Sequence, residues 1–142
     1  MNNTYNLERF IKAQEQDYAI ALSEIKNGRK ESHWMWYIFP QALGLGYTST
    51  SIQYGIKDLG EAKAYLDNNI LGKRLIEISN ALLALPTNNA KEIFGDTDSM
   101  KLRSSMTLFS LVPGTDDVFQ LVLDKFFNGK RDDQTLQLLH ID

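Results

Sequence analysis

The chain has 142 residues, 43% of them hydrophobic and 23% charged, with no cysteine and a net charge of −3. That length matches one domain, 1–142, which can bury about two thirds of its surface on folding without disulfide or structural metal. The composition excludes a disulfide framework, a thiolate nucleophile and cysteine metal sites, and a pI near 5.4 makes duplex nucleic acid an unfavoured partner.

Met1 to Phe10 is polar, unlike a secretory signal, and no apolar run reaches the length of a membrane span. A cytoplasmic protein is expected. Asn6 can cap a first helix that ends at Gly28. Leu7, Phe10, Ile11, Tyr18, Leu22 and Ile25 form its apolar stripe. Gln14 falls on the same stripe, so it needs a buried hydrogen-bond partner or faces a cavity.

Ser32 can cap a short turn through Trp34 to Ile38, stopped by Pro40. Gly44, Gly46 and the hydroxyl run from Thr48 to Ser51 read as a loop entering a turn near Tyr54. Asp58 and Glu61 make a capping box for a helix through Leu66, broken at Asn68-Asn69. A further helix is expected from about Ile70 to Ala84, with Pro86 after it. Asn89 to Phe94 is a short helix ended by Gly95, and Thr97 can cap the next, Asp98 to Leu111. Thr115 can cap Asp116 to Asn128, and Asp132 starts a last short helix. No strand pattern or repeat stands out. The expected fold is all-α, a single compact domain of about seven or eight helices, several of them short.

Chemistry concentrates in two segments. Ser32 to Gln41 holds both tryptophans, Trp34 and Trp36, with His33, Tyr37 and Phe39. Such residues can form a core, because aromatic side chains bury large areas. They can equally stack a planar ring, worth roughly 1–3 kcal/mol for a nucleobase. Trp34 and Trp36 point to different sides, so one can anchor the core while the other faces a pocket. His33 is a candidate general acid or base, or else a loop-holding residue. Lys30 precedes the segment, in a small basic cluster with Lys26 and Arg29.

The second segment, Asp98 to Phe109, carries Lys101, Arg103, Ser104 and Ser105. On a helix Asp98, Lys101 and Ser105 share a face, while Met100, Leu102, Met106 and Phe109 can pack inward. This polar strip can hold phosphate or carboxylate, or can be a solvated face with an Asp98–Lys101 pair. Asp98 is a candidate proton carrier or water-steering carboxylate; with Glu92 and Asp96 its plainer role is helix capping. Gln41 and Tyr54 can offer polar contacts to a ligand or satisfy backbone groups. Gly44-Leu45-Gly46 is too short for a dinucleotide fingerprint. Two distant histidines make no metal motif, and no cofactor is implied; His140 reads as incidental.

The residues Arg9-Phe10, Ala13-Gln14, Gly28-Arg29-Lys30, Ser32 to Gln41, Gly44-Leu45-Gly46, Tyr54-Gly55-Ile56, Leu71 to Leu75, Ile93-Phe94-Gly95 and Lys101 to Phe109 resemble the mostly bacterial family known as domain of unknown function 1810. The resemblance spans nearly the whole chain and implies a small, mainly helical domain, with no activity to carry over. A remoter, fold-level similarity links it to the NADAR group of ADP-ribose-processing proteins.

The combined expectation is a pocket for a nucleotide-like or ADP-ribose-like small molecule, with hydrolysis as one outcome. Trp34 or Trp36 would stack the ring, and Lys30, Lys101 or Arg103 with Ser104 and Ser105 would hold the anion. Two alternatives stand beside it. The aromatic segment can be the partner surface of a non-enzymatic interaction module. Phe126 and Phe127, about 100° apart on a helix, can leave one ring for a homodimer contact, so monomer and homodimer are both open.

Overall fold

The computed structural model describes residues 5–141; residues 1–4, the start of the N-terminal stretch read above as polar, and residue 142 lie outside the described residues. Eight helices form among the described residues: α1 (Glu8–Lys26), α2 (Met35–Ile38), α3 (Ser49–Gln53), α4 (Leu59–Asp67), α5 (Leu71–Leu83), α6 (Ala90–Ser110), α7 (Val118–Phe127) and α8 (Asp133–Leu138). No strand forms among them. Ala42 and Ile56 make an isolated parallel bridge, in which Leu43 donates to Ile56 and Ile56 donates to Gln41, both at 2.8 Å. Gly55 permits this close approach, because a Cβ there would lie 2.8 Å from the Leu43 Cα.

Several helix ends follow local chemistry. Asp58 accepts from the Glu61 backbone N–H at 2.8 Å, and the Glu61 carboxylate reaches back to the Lys57 N–H at 2.8 Å. Asp132 caps α8 through Thr135 N–H at 2.9 Å, and Thr48 caps α3 through Ser51 N–H at 3.1 Å. The Asn68 side chain turns α4 into α5 by accepting from Ile70 and Leu71. Gly72 is required at that corner, since a Cβ would sit 2.0 Å from the Leu66 carbonyl oxygen.

Other caps differ from expectation. Leu7, not Asn6, precedes α1, and Ser32 makes no helix cap because its hydroxyl donates to Glu24 instead. Neither Thr97 nor Thr115 is the residue preceding a helix. The two helices expected around Gly95 are both present and join in α6 across a kink at that residue (φ 80°, ψ 176°), and Asp116, not Thr115, accepts from the Val118 N–H at the start of α7.

The core is a chain of aromatic contacts across four helices. Phe10 meets Tyr65 edge-on at 5.1 Å, Tyr65 meets Phe109 at 5.3 Å, and Phe109 meets Phe119 at 5.7 Å. These link α1, α4, α6 and α7. α6 packs most extensively on α7, and also on α4 and α8. Its second half is therefore buried all round, from Ser104 to Phe109. Gln14 finds its partners inside this core: its side-chain amide donates to the Tyr37 carbonyl at 2.7 Å and to the Tyr65 hydroxyl at 2.9 Å. No helix among the described residues is long and apolar enough to cross a membrane.

Candidate functional site

The aromatic segment and the first turns of the Asp98 half of α6 meet at one cleft of about 460 Å³. The two tryptophans divide as their opposed directions require. Trp34 is 1% exposed and packs on Phe39. Trp36 is half-buried and lines the cleft, with Tyr37 beside it and Thr48 and Thr50 facing it from the start of α3.

Three charged groups are locked together at this wall. Lys30 Nζ lies 2.8 Å from one Asp98 carboxylate oxygen, and Lys101 Nζ lies 3.3 Å from the other. The Lys30 ammonium also donates to the Ser32 carbonyl at 2.6 Å and sits 5.0 Å from the Trp34 ring centre. Lys101 sits 4.7 Å from the Trp36 ring centre. One carboxylate between two ammoniums leaves this cluster one positive charge in surplus. The Lys30 side chain is nearly buried, whereas Lys101 keeps 26% of its exposure, so Lys101 is the ammonium a solute meets. His33 is exposed on the rim of the same cleft.

Glu24 on α1 holds the segment in this position. One of its carboxylate oxygens accepts from the backbone N–H groups of Glu31 (2.8 Å) and Ser32 (3.0 Å) and from the Trp34 indole N–H (2.9 Å). The other accepts from the Ser32 hydroxyl at 2.6 Å. Partial burial acts to raise the carboxyl's pKa, but these hydrogen bonds together outweigh it and bring the pKa down to about 2. On the opposite side the Tyr37 hydroxyl bonds the Asp17 carboxylate, and burial followed by that contact raises its pKa well above the ordinary phenol value.

The remaining predicted residues lie elsewhere. Arg103 donates to the carbonyls of Lys130 (3.0 Å) and Arg131 (2.7 Å), tying α6 to the segment before α8. The Ser104 hydroxyl returns to the Met100 carbonyl, and Ser105 is fully buried. Met100, expected to pack inward, is 47% exposed. Helical spacing groups residues by face, but α6 passes from the cleft into the core between Lys101 and Ser104, so one face serves both environments. Gln14 and Gln41 are interior, and Tyr54 packs between Phe10 and Tyr37. The sequence offers no sign of Glu24, and it shows Tyr37, Thr48 and Thr50 only as members of the aromatic segment and the hydroxyl run, not as walls of a cleft. For Glu24 no local signal exists, since its partners lie seven to ten residues ahead across a turn. No cluster of three or more His, Asp or Glu suited to a metal ion occurs among the described residues.

Fold and site together define a small all-α domain with an aromatic, cation-lined cleft. The chain belongs to the family described as Protein of unknown function (DUF1810), whose model matches residues 4–139. It is similar to the conserved hypothetical protein Rv1873 from Mycobacterium tuberculosis, with 39% identity and a TM-score of 0.95, over 99% of this chain and 100% of that one. None of the curated proteins matches it.

Proposed function

We propose that the cleft binds a small molecule that joins a planar ring to an anionic group, a nucleotide-like or ADP-ribose-like ligand. The observation that carries this reading is the Lys101 ammonium over the Trp36 ring, beside a second lysine. In the free protein the ammonium occupies the ring face. A ligand ring takes its place, and the released ammonium pairs with the ligand's phosphate or carboxylate. The exchange is favourable because stacking contributes roughly 1–3 kcal/mol against roughly 0.5–1 kcal/mol for the exposed cation–π contact given up. The new charge-assisted bonds add to it.

Asp98 serves as the organiser of the two ammoniums. Were the bound ligand hydrolysed, His33, exposed at the rim, is the group with the freedom to move a proton, with Asp98 steering the water. The interior positions of Trp34, Met35, Ile38 and Phe39 support a cleft over a flat partner surface, because they remove most of the segment's large side chains from contact.

The test is calorimetric titration with AMP and ADP-ribose, following Trp emission. Binding is expected to fall at least tenfold in Trp36→Ala and in Lys101→Met, with both variants folded. Unchanged affinity in both, or no binding by the parent at millimolar ligand, rejects the reading.

A further inference from the structure

The Trp36 cleft shares a wall with a second groove of equal size. The loop from Gly44 to Thr48 is pressed between two side chains. A Cβ on Gly46 would meet the Trp36 ring at 3.1 Å, and a Cβ on Gly44 would meet Leu138 of α8 at 3.0 Å. Glycine at both positions lets the backbone touch Trp36 on one side and α8 on the other. Thr48 has an extended backbone (φ −75°, ψ 158°), which turns successive side chains to opposite sides. Thr48 accordingly lines the charged cleft, and Tyr47 lines a groove of about 460 Å³ across the loop.

This second groove differs in chemistry. Among the described residues its walls are Leu45, Tyr47, Gln134, Gln137, Leu138 and His140, with no Lys, Arg, Asp or Glu. Tyr47 is 93% exposed, an unusual setting for a large aromatic ring. Gln134 and Gln137 stand three apart on α8, hence on one face, with both amides open to solvent.

His140 adds an independent sign. It occupies the turn that closes α8: its N–H donates to the Gln137 carbonyl at 3.1 Å and the following Ile141 N–H donates to the Leu136 carbonyl at 2.8 Å. That pair of bonds is the glycine-terminated helix stop, yet the residue at its left-handed position (φ 60°) is histidine. A side chain there is strained, and glycine would close the turn without strain. Such exceptions cluster where a side chain serves a ligand. Here the imidazole enters the groove wall.

We infer that this groove is a binding site for an uncharged heteroaromatic ring of nucleobase type. Tyr47 supplies the stacking face, while the two glutamine amides and the His140 imidazole meet the donors and acceptors on the ring's edge. Each amide both donates and accepts, so the trio matches a base edge and offers no counter-charge to a phosphate. The site stands whether or not the charged cleft takes an anion.

The experiment is amide and side-chain NMR of the full chain titrated separately with adenosine and with inorganic pyrophosphate. Adenosine is expected to shift Tyr47 and the side-chain amides of Gln134 and Gln137, whether or not Trp36 and Lys101 respond as well. Tyr47→Ala and Gln137→Ala, both at exposed positions, are expected to weaken that response at least fivefold with the rest of the spectrum retained. His140→Gly is expected to weaken it without lowering the melting temperature. Overturning results are no adenosine response at these residues, a response confined to Trp36 and Lys101, or variants that respond as the parent does. Pyrophosphate reports on the charged cleft alone, so failure of either site is read separately.

Discussion

Removing the Glu24 carboxylate should loosen the whole aromatic wall. The four donors it satisfies belong to Glu31, Ser32 and Trp34, and the Trp34 indole is among them. A hydrogen bond to a charged group contributes about 1.5–3 kcal/mol when buried, but part of this carboxylate meets water. Glu24→Ala is therefore expected to cost about 2–4 kcal/mol overall. The pH dependence gives a sharper test. The carboxyl's pKa falls from its ordinary 4.5 to about 2 on folding, a difference equivalent to at most about 3 kcal/mol. Solvent screening reduces that to about 1–2 kcal/mol. Because the folded value is the lower one, the stabilisation is complete above pH 4.5 and is lost as pH falls towards 2. Urea unfolding of the parent and of Glu24→Gln between pH 7 and pH 2 should show a stability gap that is constant down to about pH 5 and then narrows. A gap of unchanged size at the acid end, or a Glu24→Ala protein within about 0.5 kcal/mol of the parent, would refute the assigned role.

Three further outcomes follow from particular contacts. Arg9→Met strands Glu61, which is 1% exposed and 3.0 Å from the guanidinium, so a loss of about 3–5 kcal/mol is expected in chemical denaturation. Gly72→Ala drives a methyl against the Leu66 carbonyl; the corner between α4 and α5 must open, and thermal unfolding should register a loss of more than about 2 kcal/mol. His140→Gly relieves a left-handed side chain and should raise stability by about 0.5–1 kcal/mol, measurable as a small rise in melting temperature; a fall would argue against strain at that turn.

Much of the fold is written locally. Asp58, Asn68 and Asp132 mark helix ends because each can satisfy backbone N–H groups within its own few residues. Pro40 and Gly95 interrupt helices through their own backbone preferences. The stripe of α1, with Gln14 among apolar residues, is likewise a matter of helical spacing, and so is the need for a partner at that glutamine. The all-α class follows from these signals together. Whether Trp34 or Trp36 would enter the core was beyond their reach, as was the identity of Gln14's partners. Only the packing of α1 and α6 around the segment buries Trp34 and leaves Trp36 on the cleft. The same packing turns Ser105 into a core residue and Met100 into a surface one, gives Arg103 to two distant carbonyls, and brings Glu24 beneath the tryptophan wall. Spacing along a chain determines which side chains share a helix face. Which part of that face meets water, and which meets another helix, depends on contacts between residues far apart in sequence, and these exist only once the chain has folded.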